Sequence, residues 1–292
     1  MGFRNKLPHY LTREAPVQLR HSTNPAQIKT FDTAALRANY LVTDLFADDE
    51  LRATYTHEDR VVLAGARPVG SSIRLTSFDT LRSTNFFDNR EAGIVNVGSA
   101  GTISVDGQDY LLEKGACLYI GRGAVDVSFA SASSADPAAF YLFSATAHTS
   151  YPTVLVPRGE GTVRNLGTPE SSNERTINQY IHADGVQSCQ VVMGVTELST
   201  GSMWNTMPAH THDRRTECYL YFDVDVEQRV FHVLGEPTES RHIVVANQQA
   251  IISPSWSLHC GFGTGSYSFV WAMAGENKSF DDMDHVHPAD LL

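Results

Sequence analysis

The 292-residue chain has few cysteines and no long apolar run. Its cysteines, Cys117, Cys189, Cys218 and Cys260, are far apart and form no CxxC pair, so we expect reduced thiols in a cytoplasmic protein. No stretch approaches the roughly 18 apolar residues that cross a bilayer, and we expect no secretory signal because the beginning of the chain lacks an apolar segment. These absences predict a protein without a membrane partner.

Positive charge is also scarce. Lys and Arg number 22 against 33 Asp and Glu, which gives a formal net charge of −11 at pH 7. This balance disfavours a polyanionic partner such as nucleic acid. A small anionic substrate stays compatible with it, because such a substrate needs only one or two well-placed arginines.

The sequence lacks a sustained helical period, apart from a short helix predicted over 32–40 with Asp32 as its cap. From about residue 60, runs rich in Val, Ile, Tyr and Phe alternate with Gly, Asp and Asn. The stretch "VDGQ" at 105–108 is typical of a hairpin turn. The chain is therefore predicted to be all-β with short helices.

A stretch poor in large apolar residues, 157–178, separates two halves that look like weak repeats. We interpret it as a connection between an N-terminal half, 31–156, and a C-terminal half, 179–292. Residues 1–30 are polar and are predicted to be an N-terminal extension. Short strands repeated in both halves favour paired β-sandwiches or barrels.

Histidines two residues apart share one face of a strand, so His210 and His212 can reach one ion. A turn is predicted at 213–215, and a hairpin there would return Glu217 to the two histidines. His259 is the best candidate for a fourth ligand. Such a set suits a borderline divalent ion, Zn, Mn, Fe, Co or Ni, among which the ligands alone do not choose. An HxH pair by itself is better explained by surface histidines or by core histidines with satisfied hydrogen bonds; Glu217 and His259 make the difference.

Alternation along the strand after this turn predicts two different faces. Tyr219 and Tyr221 share the face of Glu217, where they either line a pocket or pack in the core. The other face is apolar and is predicted to pack outward; it carries Cys218, Leu220 and Phe222.

This spacing resembles the metal motif of the cupins. The fourth ligand lies in "PSWSLH", where Trp256 replaces the glycine of the motif. The longer stretches "MWNTMPAHTHDRRTECYLYF" (203–222), "ISPSWSLH" (252–259) and "GENKSFDDMDHV" (275–286) resemble the 5-keto-4-deoxyuronate isomerase family of pectin breakdown. The resemblance extends from about residue 30 to the C-terminus.

The resemblance implies a double-cupin fold, usually a homohexamer, and one zinc ion held by His210, His212, Glu217 and His259. It implies an aldose–ketose isomerase that interconverts 5-dehydro-4-deoxy-D-glucuronate and 3-deoxy-D-glycero-2,5-hexodiulosonate. The N-terminal half is predicted to lack metal ligands. Alignment of the halves places other residue types at the ligand positions, namely Phe86, Asp88, Ala92 or Gly93, and Val125.

The substrate carboxylate should meet an arginine. Arg175 is our first candidate, and Arg214 and Arg215 follow; the competing interpretations are a salt bridge for Arg175 and a solvated turn for the other two. The general base is not identified by the sequence. Glu217 is a weak candidate, and a solvent-derived base at the ion or a hydride shift are other routes.

Two further features have open interpretations. Trp204 and Trp256 flank the ligand segments and either pack or line the pocket. The acidic stretch 281–285 is expected to be a solvated tail or a segment that docks on the barrel, rather than a second cation site. Alternative functions are a 5-deoxyglucuronate isomerase of inositol breakdown, a sugar-binding double cupin without catalysis, and a metal-dependent dioxygenase.

Overall fold

The computed structural model describes residues 17–292, so part of the predicted extension lies outside the described residues. Two helices form early in the described chain, α1 (Pro25–Ile28) and α2 (Thr33–Tyr40). Asp32 caps α2 by accepting a hydrogen bond of 2.8 Å from the backbone N–H of Ala35, which confirms the helix predicted over 32–40. No helix within residues 17–292 is long and apolar enough to span a membrane.

Most of the remaining elements are short strands. The strands before residue 157 are β1 (Val17–Arg20), β2 (Leu41–Val42), β3 (Leu51–Thr56), β4 (Val62–Ala66), β5 (Ile73–Arg74), β6 (Arg90–Asn96), β7 (Gly101–Val105), β8 (Gln108–Leu112), β9 (Cys117–Ile120), β10 (Val127–Ser131), β11 (Phe140–Thr146) and β12 (Val154–Val156). Single-turn 3-10 helices lie at Asp79–Leu81, Phe86–Asp88, Pro169–Ser171 and Pro288–Asp290.

The strands after residue 157 are β13 (Thr162–Leu166), β14 (Arg175–Ile181), β15 (Val192–Leu198), β16 (Trp204–Thr211), β17 (Arg215–Phe222), β18 (Val230–Glu236), β19 (Glu239–Val245), β20 (Gln249–Ser253), β21 (Leu258–Gly263), β22 (Ser268–Gly275) and β23 (Asp284–His285). The described chain is therefore all-β with short helices, as the sequence predicted.

The strands form two β-sandwich halves. The first half combines a seven-stranded sheet, in the order β1-β3-β4-β11-β6-β9-β12, with a four-stranded sheet, β5-β10-β7-β8. The second half combines a seven-stranded sheet, β13-β14-β15-β22-β17-β20-β2, with a five-stranded sheet, β19-β18-β21-β16-β23. In the hairpin between β7 and β8, Asp106 and Gly107 have φ of 49° and 86°, which confirms the turn predicted at 105–108 because both central residues are left-handed.

The two seven-stranded sheets pack face to face in the middle of the molecule. One buried cluster contains side chains of both sheets, among them Val95 and Tyr141 of the first half. Cys218, Leu220 and Phe222 belong to this cluster. The sequence predicted that these three side chains pack outward; they do point away from the predicted metal site, but they meet the first half of the chain.

Two segments cross the boundaries that we drew from the sequence. Leu41 and Val42 of β2 pair with Ile251 and Ala250 of β20, so the residues around β2 belong by pairing to the second half and not to the half at 31–156. The predicted connection, 157–178, contains β13, which pairs with β14 and forms the edge strand of the seven-stranded sheet of the second half. Long-range strand pairing, which composition does not reveal, decides both placements.

A buried carboxylate joins the two halves. Glu91 of β6 is fully buried and accepts hydrogen bonds from the backbone N–H groups of Cys189, Gln190 and Val191 at 2.7, 2.7 and 2.9 Å. The hydroxyl of Tyr119 donates a fourth, at 2.7 Å. Three N–H groups at the end of the loop between β14 and β15 are thereby satisfied by one side chain of the other half.

Candidate metal centre

Three histidines and a glutamate converge at one end of the second sandwich. His210 lies on β16, His212 directly after it, Glu217 on β17 and His259 on β21. His210 and His259 are register partners in the pairing of β16 with β21. The sequence predicted a hairpin between His212 and Glu217. Instead the turn is an arch between sheets, because β16 belongs to the five-stranded sheet and β17 to the seven-stranded one.

The four ligand atoms lie within 4.8 Å of one another, and all four residues are buried. The Nε2 atoms of His210 and His259 are 2.9 Å apart. Oε2 of Glu217 is 3.0 Å from Nε2 of His212 and 2.9 Å from Nε2 of His259. Because donor atoms about 2 Å from a common ion stand about 3 Å apart, this arrangement can hold one metal ion.

The surroundings of the imidazoles leave the inner nitrogens free to bind. Nδ1 of His212 is 2.9 Å from the carbonyl of Arg215, and a proton on Nδ1 places the lone pair on Nε2, towards the cluster. Burial, followed by the charge of His259, lowers the pKa of His210 to about 2. Burial alone would raise the pKa of Glu217, but His259 and His212 hold it well below its ordinary value. A neutral imidazole, as at His210, and an ionised carboxylate, as at Glu217, are the forms that bind a divalent ion.

A cavity of about 290 Å³ opens beside the cluster. Its apolar wall includes Ile177, Phe269, Trp271 and Met273 on β14 and β22. Its polar lining outside the cluster consists of Arg164, Arg175, Thr196, Thr206, Arg215, Tyr219, Asp281 and His285. An apolar wall facing convergent polar groups is a usual form of small-molecule site, and the number of polar groups here suits a polar ligand.

A wide bulge in β16 shapes this cavity. The pairing with β21 runs from Asn205 opposite Gly261 to His210 opposite His259, so β16 carries extra residues between these two pairs. Thr206 in the bulge has a φ of 55°, a left-handed conformation that costs a threonine free energy. Its Oγ1 lies 3.2 Å from the hydroxyl of Tyr219. Bulges of this kind turn side chains towards functional sites.

The two tyrosines on the face of Glu217 differ in position. Tyr219 lines the cavity. Tyr221 is fully buried, and its hydroxyl lies 2.8 Å from Nδ1 of His232. The structure therefore brings Tyr219 to the site, whereas Tyr221 packs behind it as the core interpretation expected.

The arginines also separate into two kinds. Arg164, Arg175 and Arg215 line the cavity from β13, β14 and β17, and within residues 17–292 none of them has a carboxylate partner. Arg214 instead pairs with Asp282 and Asp284, with Nη2 at 2.7 and 2.8 Å from their oxygens. The hydrogen bond from Arg214 lowers the pKa of Asp282 to about 2. The acidic stretch 281–285 thus docks on the barrel.

The two tryptophans pack rather than bind. The ring of Trp204 packs against that of Phe262 in a tilted arrangement, with centroids 4.7 Å apart, and neither Trp204 nor Trp256 is among the residues that line the cavity. Trp256 donates from Nε1 to the carbonyl of Thr23 at 3.1 Å. The residue that replaces the motif glycine therefore ties the ligand turn to the segment before α1.

The first half has no matching cluster among the residues that the structure describes. Ala92 occupies on β6 the register position that Glu217 occupies on β17. Val125, aligned with His259, is 56% exposed before β10. An alanine methyl group at the glutamate position packs in the core of the first half and offers no ligand atom.

Two β-sandwich halves in one chain, with three histidines and a glutamate at the mouth of the second, define a double-cupin protein with a candidate metal centre. The model of the KduI/IolB family matches residues 41–287, and the chain belongs to this family. Relatives with 50% or more identical residues are named ketol-isomerases. Ketol-isomerases are intramolecular oxidoreductases, and this chain is an enzyme of that class.

Two relatives carry the same name, 4-deoxy-L-threo-5-hexosulose-uronate ketol-isomerase. The protein of Kineococcus radiotolerans is 60% identical over 278 residues, which cover 94% of this chain and 100% of the relative. The protein of Halalkalibacterium halodurans is 50% identical over 272 residues, or 93% of this chain and 99% of the relative.

Solved structures share the fold. An IolB-like protein from Salmonella typhimurium has a TM-score of 0.64 at 15% identity, over 87% of this chain and 99% of that one. Oxalate decarboxylase from Lactobacillus farciminis has a TM-score of 0.57 at 8% identity, over 89% and 91%. These similarities support the double-cupin architecture alone.

Sequence reasoning gave no role in the site to several residues that line the cavity, among them Arg164, Thr206, Phe280 and His285. Thr206, Phe280 and His285 lie inside the long stretches 203–222 and 275–286, so the family resemblance carried a signal for them. Arg164 had no such signal. Its position follows from the pairing of β13 with β14.

Proposed function

We propose that this enzyme is a metal-dependent aldose–ketose isomerase. It converts 5-dehydro-4-deoxy-D-glucuronate to 3-deoxy-D-glycero-2,5-hexodiulosonate. The first compound is the one that the relatives' name calls 4-deoxy-L-threo-5-hexosulose-uronate. The observation that carries the proposal is the buried cluster of three imidazole nitrogens and one carboxylate, which opens on a cavity lined by three arginines. Within the described chain, Arg164, Arg175 and Arg215 form no ion pair with a carboxylate.

The cluster would hold one divalent ion per chain, for which Zn²⁺ is our first choice over Mn, Fe, Co and Ni. Three imidazoles and a carboxylate suit this group of ions. When bound, the ion supplies Lewis acidity to a carbonyl and its neighbouring hydroxyl. The residues that would hold it are His210, His212, Glu217 and His259.

The substrate is a small anionic keto-sugar acid, and its carboxylate would meet Arg175. Arg175 is half-buried, and burial lowers the pKa of its guanidinium, so a bound carboxylate would stabilise a charge that is now poorly solvated. Arg164 adds a second cation on the neighbouring strand. The apolar wall formed by Phe269 and Trp271 would exclude water from the reacting end.

The isomerisation moves a proton from C2 to C1 of the sugar, which requires an acid–base group at the cavity. Glu217 stays a weaker candidate, since its Oε2 already faces His212 and His259 at 3.0 and 2.9 Å. Asp281 and His285 line the same cavity outside the cluster. We propose that one of these two side chains takes and returns the proton.

Further parts of the proposal concern the cell and the assembly. We place the enzyme in the cytoplasm, in the breakdown of pectin-derived uronates, and as a homohexamer. Size-exclusion chromatography with light scattering tests the hexamer, and a monomeric mass would exclude it.

The central experiment measures metal and turnover on one preparation. We expect about one divalent ion per chain by plasma mass spectrometry, removal of activity by chelation, and recovery on adding Zn²⁺. Conversion of the uronate is followed by NMR. The proposal fails if metal-loaded protein does not turn over the uronate, and the assignment of ligands fails if His210→Ala keeps the wild-type metal content.

The alternative substrate, 5-deoxyglucuronate, is tested in the same assay. It keeps the carboxylate of the proposed substrate but lacks the keto group at C5 beside it, so we expect slower turnover. A preference for 5-deoxyglucuronate would assign the chain to the inositol-breakdown reaction instead.

A further inference from the structure

One wall of the cavity is formed by the stretch 275–286, which we name the clasp segment. It contributes Phe280, Asp281, Met283 and His285 to the lining. Its regular structure beyond β22 is limited to β23, where His285 and Asp284 pair with His210 and Thr211 of β16. Backbone hydrogen bonds of 2.9 Å also join the two ends of the segment to the barrel, from the N–H of Glu276 to the carbonyl of Arg214 and from the N–H of Val286 to the carbonyl of Ala209. The residues between these points are held to the barrel by side-chain contacts.

The turn between His212 and Glu217 provides those contacts. Nε of Arg214 donates to Oδ2 of Asp282 at 2.8 Å, and its Nη2 donates to Oδ2 of Asp284 at 2.8 Å. Arg215 donates to the carbonyls of Ser279 and Asp282 at 2.6 and 2.9 Å. Two successive arginines thus bind the clasp segment through both side-chain and backbone oxygens, a charge-assisted arrangement.

The clasp segment in turn supports other residues of the cavity. The ring of Phe280 packs against Trp271, with centroids 5.4 Å apart. The guanidinium of Arg164 also lies over the ring of Phe280, 5.4 Å from its centroid. Arg164 is held by this stacking and has no ion pair within residues 17–292. A displaced clasp segment would therefore also release Arg164.

We propose that Arg214 is a positioning residue, whose ion pairs with Asp282 and Asp284 hold the clasp segment as a wall of the substrate cavity. This inference rests on the proposed function and replaces substrate contact as the role of Arg214. Its donors already face two carboxylates, and a substrate carboxylate would have to displace them. The clasp carries Phe280 and both candidate acid–base groups, so the ion pairs determine where these groups stand.

The test compares Arg214→Gln, the double variant Asp282→Asn/Asp284→Asn, and the triple variant. We expect kcat/KM for the uronate to fall roughly tenfold in each, with KM raised, and the triple variant to be no worse than either parent because all three remove the same interaction. Metal content should stay at the wild-type value. Arg74→Gln is the matched control, because Arg74 and Asp126 form an exposed ion pair, 3.0 Å long, in the first half.

Two kinetic outcomes and one from proteolysis would overturn the proposal. If Arg214→Gln loses activity while Asp282→Asn/Asp284→Asn keeps it, Arg214 contacts the substrate itself. If the losses multiply in the triple variant, the residues act independently. Limited proteolysis gives a second measurement that does not depend on turnover: Arg214→Gln should be cut within 276–286 faster than Arg74→Gln. Equal rates reject the clasp even if the wild-type protein proves inactive on the uronate, which by itself rejects only the proposed function.

Discussion

The carboxylate of Glu91 allows a stability prediction worked directly from the structure. Four hydrogen bonds of 2.7 to 2.9 Å reach it, from Tyr119 and from the backbone of residues 189–191. A hydrogen bond to a charged group contributes about 1.5–3 kcal/mol. Removing the side chain also relieves the several kcal/mol spent on desolvating the carboxylate, so we expect Glu91→Ala to lower the free energy of unfolding by about 3–5 kcal/mol.

The variant Glu91→Gln separates hydrogen bonding from packing. Glutamine has nearly the same shape, but its amide NH2 would face N–H or O–H donors where the carboxylate now accepts. We therefore expect Gln to be nearly as destabilising as Ala in urea unfolding monitored by fluorescence. Glu113→Ala, on the surface of the first half, should change stability by less than about 0.5 kcal/mol. A Glu91→Gln protein as stable as wild type would refute the reasoning.

Three other perturbations concern the site and the thiols. His259→Ala removes one imidazole, and bound divalent ion measured by mass spectrometry should fall at least about tenfold. Arg175→Gln should lower kcat/KM for the uronate by about 30- to 150-fold, or about 2–3 kcal/mol, with Arg74→Gln as control. Burial raises the pKa of Cys117 and of Cys260 to about 12, and Cys218 is also buried. A thiol reagent at pH 8 should therefore label only Cys189 rapidly in the native protein.

Each of these predictions has an outcome that contradicts it. Full metal content in His259→Ala would remove this residue from the ligand set. An unchanged kcat/KM in Arg175→Gln would place the carboxylate contact elsewhere, with Arg164 as the next residue to test. Rapid reaction of more than one thiol would mean that the sheets around Cys117 or Cys218 open under native conditions.

Much of the candidate site follows from local sequence rules. The alternation that puts His210 and His212 on one face is a property of any strand, and Asp32 at the start of an apolar-periodic run predicted α2 correctly. The residue pattern already made His259 the best candidate for the fourth ligand. The family resemblance added the isomerase class, because long motifs carry information that spacing alone does not. Thr206 and His285 lie in the same motifs, but the sequence does not show how they reach the cavity. Thr206 depends on the bulge in β16, and His285 depends on the pairing of β23 with β16.

The all-β class, the four candidate ligand residues and the family are readable from the order of the residues. Strand pairing and packing were needed to show that the ligand turn spans two sheets, that the apolar face of β17 meets the other half of the chain, and that Arg214 contacts Asp282 and Asp284. These two groups of features differ in the range of the interactions on which they depend. The face of a strand on which a side chain lies depends on neighbours in the sequence, whereas the partner that it meets is fixed by strand pairing and packing between residues far apart in the chain.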